Sequence, residues 1–206
     1  GRPSSRSPRP TPEMTVPFDP AHAEGLEDPQ RLAALPQAAV VALLRLEGAE
    51  TVVDYGAGTG IYTVAVAAAV PDGRVVAVEA LPRLAELFRL RLTTGLTDRV
   101  ALVETSDNIV PLDDGEADRV LMVDVLHHLH DQPDALEEVL RVLRPGGLFV
   151  VVDWGDQERP IGPSPGHALG LDAVRGIVDR MGLDVVEAHA PGALLRHHLA
   201  VVARKR

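Results

Sequence analysis

The feature that most constrains the fold is an alternation of short apolar runs with longer helical patterns through the middle of the chain. The runs that predict buried strands are 51–55, 74–79, 99–104, 117–124 and 147–153. The helical patterns between them are 60–70, 82–94 and 133–143, the last of which is stopped by an Arg-Pro-Gly-Gly sequence at 144–147. Because strands that are apolar on both faces need helices on both sides, this alternation predicts an α/β fold with a doubly wound, mostly parallel sheet.

The last third of the chain departs from this alternation. A helix is predicted over 169–181, followed by strands over 183–188 and 199–204. Since no helix separates these two strands, they are expected to pair antiparallel at the edge of the sheet.

The N-terminal part is expected to carry a tail and a cap. Residues 1–14 lack apolar periodicity and are predicted to be disordered, either as a natural tail or as vector-derived residues before an initiator at Met14. The remainder, 15–206, is long enough for a single domain with a sizeable core. Its first segment, 15–48, is predicted to form cap helices, with a helical pattern that Pro36 divides in two.

A glycine-rich loop joins the first predicted strand to the helix that follows it. The sequence from Val52 to Gly60 reads VVDYGAGTG. Glycines at such a turn let the backbone bend sharply and let a ligand lie against it. Glu79 ends the second strand, about 20 residues further on, where a carboxylate can bind a ribose diol. Together these features indicate a ligand that contains a nucleoside.

Asp54 distinguishes between two classes of such a ligand. Dinucleotide sites use G-x-G-x-x-G, whereas here the third glycine, Gly60, comes one residue early and Ile61 stands in its place. A pyrophosphate would be repelled by Asp54, which lies two residues before the first glycine. An ammonium and a sulfonium suit an acidic pocket. The residues therefore favour S-adenosylmethionine (SAM) over NAD.

These segments resemble the motifs of the class I SAM-dependent methyltransferases. VVDYGAGTG is similar to the family's D-x-G-x-G-x-G, VVAVEALP to the acidic motif after it, and LRPGGLFVVVD to the segment leading into the fifth strand. The resemblance covers roughly residues 30–204 and implies a Rossmann-like, seven-stranded sheet with an antiparallel last strand. A stretch from His22 to Arg31, H-x-x-x-L-x-D-P-x-R, resembles a subgroup near the UbiE-like and Methyltransf_11-type enzymes.

The resemblance also implies contacts with the cofactor. Asp54, Gly56 and Gly58 are expected to hold the methionine end of SAM, and Glu79 its ribose. For the adenine end we nominate three residues after the third strand, against the alternative of ordinary loop polarity; they are Ser106, Asp107 and Asn108. The other residues assigned to cofactor binding are Ala57, Thr59, Gly60, Ala80 and Asp124.

The chain has eight histidines, and several follow strand ends, where open α/β sheets bind their ligands. Three interpretations are open. His127 or His128 is the general base that takes a proton from the methyl acceptor, which is the assignment adopted here. Alternatively, the histidines bind a metal with Asp124 or Asp153, or they only line the cleft as polar loop residues. The residues assigned to acceptor binding are His127, Trp154, His167 and His197, with covering of the core as the alternative for Trp154.

Composition excludes several classes of function. The formal net charge of −10 and an aromatic content of 3% disfavour nucleic acid and anionic membranes as partners. No apolar run approaches the ~20 residues that span a bilayer, and the N-terminus lacks the apolar region of a secretory signal. The absence of cysteine excludes disulfides and thiolate metal sites, and a cytoplasmic protein is expected; no metal is assigned to the chain.

The sequence thus predicts a SAM-dependent methyltransferase that transfers a methyl group to a small-molecule acceptor by direct SN2 displacement. No large insertion between the strands offers a substrate domain, so the 15–35 segment and a lid loop at 155–168 are expected to cover the acceptor. The absence of D/N-P-P-Y/F after the fourth strand argues against an amino group of DNA. The alternatives are a methyltransferase of protein side chains, a SAM-binding module without catalysis, and an NAD-dependent reductase. The oligomeric state is left open.

Overall fold

The computed structural model describes residues 25–92, 96–105, 108–129 and 132–206, which form a seven-stranded sheet between layers of helices. The strands are β1 (Thr51–Tyr55), β2 (Arg74–Glu79), β3 (Val100–Glu104), β4 (Ala117–Val123), β5 (Leu143–Trp154), β6 (Leu183–His189) and β7 (His198–Lys205). The helices are α1 (Pro29–Ala34), α2 (Gln37–Leu43), α3 (Ile61–Ala69), α4 (Pro82–Arg91), α5 (Leu126–Leu129), α6 (Pro133–Val142) and α7 (Leu171–Arg180). The α/β fold class predicted from the sequence is confirmed.

The order of the strands places a crevice at the middle of the sheet. The order is β3-β2-β1-β4-β5-β7-β6, and β7 is antiparallel to both of its neighbours while the other pairs are parallel. The chain builds outward from β1 to β3 and then crosses back to β4, which pairs with the other side of β1. Such a reversal leaves a crevice at the carboxyl ends of β1 and β4, where open α/β sheets bind ligands.

Strict alternation along the strands divides the core between the two faces of the sheet. Along β5, Val150 and Val152 pack into the cluster that includes α2 and α3, whereas Phe149 and Val151 pack into the cluster that includes α6 and α7. This period of two follows from the pleat of a strand. Because both faces are covered, the central strands are apolar at almost every position, as the sequence pattern indicated.

The structure differs from the sequence prediction at the start of β5. The strand was expected to begin at Gly147, after a turn that ends the helix, but it begins at Leu143. Leu143 pairs with Ala117 and Leu148 with Arg119, so the Arg-Pro-Gly-Gly segment forms an irregularity within the strand. The expected end of α4 at Thr94 lies outside the described residues.

Candidate functional site

The loop after β1 needs glycine for two reasons. Gly56, Gly58 and Gly60 have φ angles of 79°, 60° and 79°, in the left-handed region that favours glycine. A Cβ on Gly56 would lie 2.4 Å from Cγ2 of Val125, and a Cβ on Gly60 would lie 2.2 Å from Cδ2 of Phe88. Gly60 thus packs against α4 at the start of α3, whereas Gly56 and Gly58 line a cavity.

The cavity lies at the carboxyl ends of the central strands and has a volume of about 360 Å³. It is of the size that small-molecule sites have. The residues predicted from the sequence that line it are Asp54, Gly56, Ala57, Gly58, Thr59, Glu79, Ala80, Asn108, Asp124 and His128. Predicted residues Ser106 and Asp107 lie outside the described part of the chain.

Asp54 is a buried carboxylate at the base of this cavity. It is 2% exposed, and its Oδ2 accepts a hydrogen bond of 2.5 Å from the hydroxyl of Thr63. Burial raises the pKa of Asp54 to about 6, and the negative charge of Glu79 adds to the rise, although the bond from Thr63 opposes it. A cation next to Asp54 would relieve this cost.

Glu79 has a different environment at the end of β2. Its carboxylate accepts hydrogen bonds from the backbone N–H of Gly58, at 2.7 Å, and of Leu81, at 2.8 Å. Burial raises the pKa of Glu79, and these backbone donors counteract the rise. The glycine loop and the acidic residue of the second motif are therefore in direct contact, 21 positions apart in sequence.

Asp124 follows β4 with a φ of 57° and lies between two basic side chains. Its Oδ2 accepts a bond of 2.7 Å from Nη2 of Arg31 in α1. Its Oδ1 lies 3.1 Å from Nε2 of the fully buried His198, without the alignment of a hydrogen bond. Burial alone would raise the pKa of Asp124, but His198 and Arg31 hold it well below its usual range, so the carboxylate stays charged.

His127 and Asp153 form a buried dyad beside Asp124. Nδ1 of His127 is 2.6 Å from Oδ1 of Asp153, and the backbone N–H of His127 donates to Oδ2 of the same carboxylate at 2.9 Å. Burial alone would lower the pKa of His127, but Asp153 outweighs it and the net shift is upward. The ring of His128 packs against that of His127 with 3.9 Å between centroids, and His128 lines the cavity.

The other residues assigned to acceptor binding lie away from the cavity lining. Trp154 is 4% exposed; its ring packs on His198, with centroids 4.0 Å apart, and the guanidinium of Arg159 lies 5.0 Å from the ring. His167 is exposed in a short 3-10 helix and bonds Ser164, and His197 uses its backbone carbonyl to accept from Gly155. The structure thus places His128 in the cavity lining and His127 buried against it, and it leaves His167 and His197 outside the lining.

Part of the 15–35 segment, which was expected to cover the acceptor, lines one side of the cavity through contacts that were not predicted. We call residues 26–31 the N-terminal cover. Leu26 lies over Gly58, Glu27 forms an ion pair with Arg91, and Arg91 donates to the carbonyl of Thr59 at 2.9 Å. Arg31 completes the cover through its bond to Asp124. The D-P-x-R sequence that begins α1 was the available signal, since Asp28 caps the helix that carries Arg31.

Within the described ranges, no group of three or more His, Asp or Glu side chains is arranged to hold a metal ion. No helix in the same part of the chain is long and apolar enough to cross a membrane.

Comparison with known proteins gives consistent matches. The family model described as "Methyltransferase domain" matches residues 53–151. An uncharacterized methyltransferase of Mycobacterium tuberculosis is 39% identical over 126 residues, which are 60% of this chain and 48% of that protein. A demethylmenaquinone methyltransferase of Clavibacter sepedonicus is 33% identical over 125 residues, 61% of this chain and 49% of that protein. The chain therefore spans about half the length of these curated relatives.

Solved structures match over more of the chain. The crystal structure of a SAM-dependent methyltransferase from Aquifex aeolicus superposes with a TM-score of 0.82 at 26% identity. The match covers 90% of this chain and 98% of that one. A putative methyltransferase from Haloferax volcanii, solved with the Trm112 activator, has a TM-score of 0.70 at 20% identity and supports the fold alone.

Proposed function

We propose that this chain, which resembles the class I SAM-dependent methyltransferases in sequence and fold, binds SAM in the cavity beside the glycine loop and methylates a small-molecule acceptor. One observation carries the proposal. A left-handed glycine loop and two buried carboxylates, Asp54 and Glu79, line the same cavity of about 360 Å³. The buried carboxylate of Asp54 is costly to ionise without a cation, and the methionine end of SAM carries an ammonium.

The residues present fit the parts of SAM. Gly56 and Gly58 line the cavity without a side chain, so a ligand can lie against the backbone of the loop. Asp54 offers a carboxylate to the ammonium of the methionine end, and Glu79 offers one to the two ribose hydroxyls. Asn108 lines the cavity after β3, where we place the adenine end.

The chemistry asks the protein for positioning and for the removal of one proton. When bound, SAM supplies a methyl group whose bond to sulfur breaks as the acceptor atom forms its own bond to carbon, with the electron pair staying on sulfur. We assign to His127 the role of general base, which accepts the proton that the methyl acceptor loses. Asp153 accepts at Nδ1 of His127 and fixes the orientation of the ring.

The choice of a small-molecule acceptor rests on how the crevice is covered. Leu26 and Arg31 line the cavity, whereas no described residue of the 155–168 loop does. That loop is fastened by Arg159, whose guanidinium donates to the carbonyls of Gly155 and Pro163. A folded protein substrate would need an open groove in this region. We therefore retain the small molecule as the proposed acceptor and the protein side chain as the alternative.

The test is transfer of labelled methyl from SAM into a cell extract, which is then divided by ultrafiltration. Label in the filtrate, beyond SAM and its breakdown products, supports the proposal, and chromatography then identifies the acceptor. An Asp54→Asn variant run in parallel should give no label above background. Label retained with macromolecules would show that the acceptor is a polymer and not a small molecule. Protease and nuclease treatment would then show which polymer carries the label.

A further inference from the structure

The wall of the cavity carries an unequal set of charges. Its lining carboxylates are Asp54, Glu79 and Asp124, whereas Arg31 is the one guanidinium among the described lining residues. His128 also lines the cavity, but an imidazole carries a full charge only when it is protonated. A ligand group of negative charge therefore has one permanent cation to meet in this part of the chain.

The order of the strands indicates which end of SAM lies near Arg31. If Glu79 at the end of β2 binds the ribose, the adenine end points outward to β3, where Asn108 lies. The methionine end then lies on the opposite side, over β1 and β4. Asp124, the residue that bonds Arg31, directly follows β4.

From this placement we infer that Arg31 binds the α-carboxylate of the methionine end of SAM. The inference rests on the proposed function and specifies one contact within it. The methionine end carries an ammonium, for which Asp54 is the assigned partner, and a carboxylate, which needs a donor of positive charge. A guanidinium presents its N–H groups in a planar fork that matches a carboxylate.

Arg31 is held in place while part of its guanidinium is still available. It is 8% exposed, and its Nη1 donates to the carbonyl of Leu26 at 2.6 Å while Nη2 donates to Asp124. A guanidinium has five N–H groups, and these two bonds use two of them. His198 is a second basic neighbour of Asp124, so Arg31 is not the only partner of that carboxylate. Asp124 thus positions Arg31. We assign it this role in place of direct binding of the cofactor.

Calorimetric titration with two ligands isolates this contact. S-adenosylhomocysteine keeps the amino-acid end, whereas 5′-methylthioadenosine keeps adenine, ribose and sulfur but lacks that end. Arg31→Gln should weaken the binding of S-adenosylhomocysteine about 10- to 100-fold, as expected for the loss of a hydrogen bond between charged groups. The affinity for 5′-methylthioadenosine should stay within about threefold of the wild-type value. Arg31→Lys should restore part of the lost affinity, because it keeps the charge without the fork.

Arg91→Gln is the matched control. It also removes an arginine that fastens the N-terminal cover, through Glu27 and Thr59, but it is not in the cavity lining. Its effect, if any, should be the same factor for both ligands. An equal loss of affinity for both ligands in Arg31→Gln would overturn the inference and make Arg31 a structural part of the N-terminal cover. Wild-type protein that binds neither ligand would overturn the proposed function itself.

A change on the ligand keeps the test valid if Arg31→Gln does not fold. The carboxamide of S-adenosylhomocysteine removes the negative charge and keeps the shape. Wild-type protein should bind it about 10- to 100-fold more weakly than the parent. Equal binding of the two would contradict the assigned contact.

Discussion

Asp54 is predicted to destabilise the ligand-free protein, so that Asp54→Asn should fold more stably. The carboxyl is 2% exposed, and burial raises its pKa from 3.8 to about 6. At 1.36 kcal/mol per pH unit, holding it ionised in the folded state costs about 3 kcal/mol near pH 7.5. An asparagine has nearly the same shape, and its Oδ1 can still accept the bond from Thr63. The neutral bond is weaker, so we expect a net gain of about 1–3 kcal/mol.

The sign of the pH dependence follows from the raised pKa. The folded state binds a proton on Asp54 more tightly than the unfolded state, so the penalty grows as pH rises from about 4 to above 6. At about pH 5 the penalty is roughly half of its value near pH 7.5. The stability difference between Asp54→Asn and wild type should therefore shrink as pH falls.

Urea unfolding without ligand measures both quantities. Trp154, the only tryptophan, is buried and reports on unfolding by its fluorescence. Asp113→Asn, at an exposed aspartate, is the control and should change little at either pH. S-adenosylhomocysteine should stabilise the wild type and not Asp54→Asn, since the variant lacks the partner of the ammonium. A variant less stable than wild type near pH 7.5, or a difference that does not shrink at about pH 5, would refute the argument.

Two more predictions follow from the site. Gly56→Ala should abolish binding of S-adenosylhomocysteine in calorimetry and lower the urea midpoint, because its Cβ would lie 2.4 Å from Val125 at a φ of 79°. Normal binding by this variant would contradict the close approach. His127→Gln should lower kcat about 10²- to 10⁴-fold with the affinity for S-adenosylhomocysteine unchanged. In the wild type, kcat should rise with pH through a pKa above 6.5, since Asp153 raises the pKa of His127 and only the neutral ring accepts a proton; a profile flat across that range would exclude it as the base.

The local sequence pattern was enough to predict most of the fold and the part of the site that contains the glycine loop and Glu79. The strand 51–55 and the loop after it are encoded within one short stretch, and Glu79 follows at a spacing set by one helix and one strand. These residues meet because a right-handed crossover places consecutive strands side by side. The same regularity explains why the antiparallel pairing of β6 and β7 could be predicted from the missing helix between them.

The other half of the site depends on contacts that no local pattern encodes. Arg31 meets Asp124 across 93 positions, and the fully buried His198 reaches the same carboxylate from the start of β7. The sequence marked His127 through its position after a strand, but its pairing with Asp153 required the register of β4 and β5. The sequence left open whether Trp154 lines the acceptor site or covers the core. Its packing between His198 and Arg159 favours a role in covering the core.

A calorimetric comparison of S-adenosylhomocysteine with NAD on the wild-type chain decides whether the cavity beside the glycine loop binds SAM. We expect saturable binding of S-adenosylhomocysteine, lost in Asp54→Asn, and no heat with NAD, whose pyrophosphate Asp54 would repel. Binding of NAD without binding of S-adenosylhomocysteine would instead make the cavity a dinucleotide site.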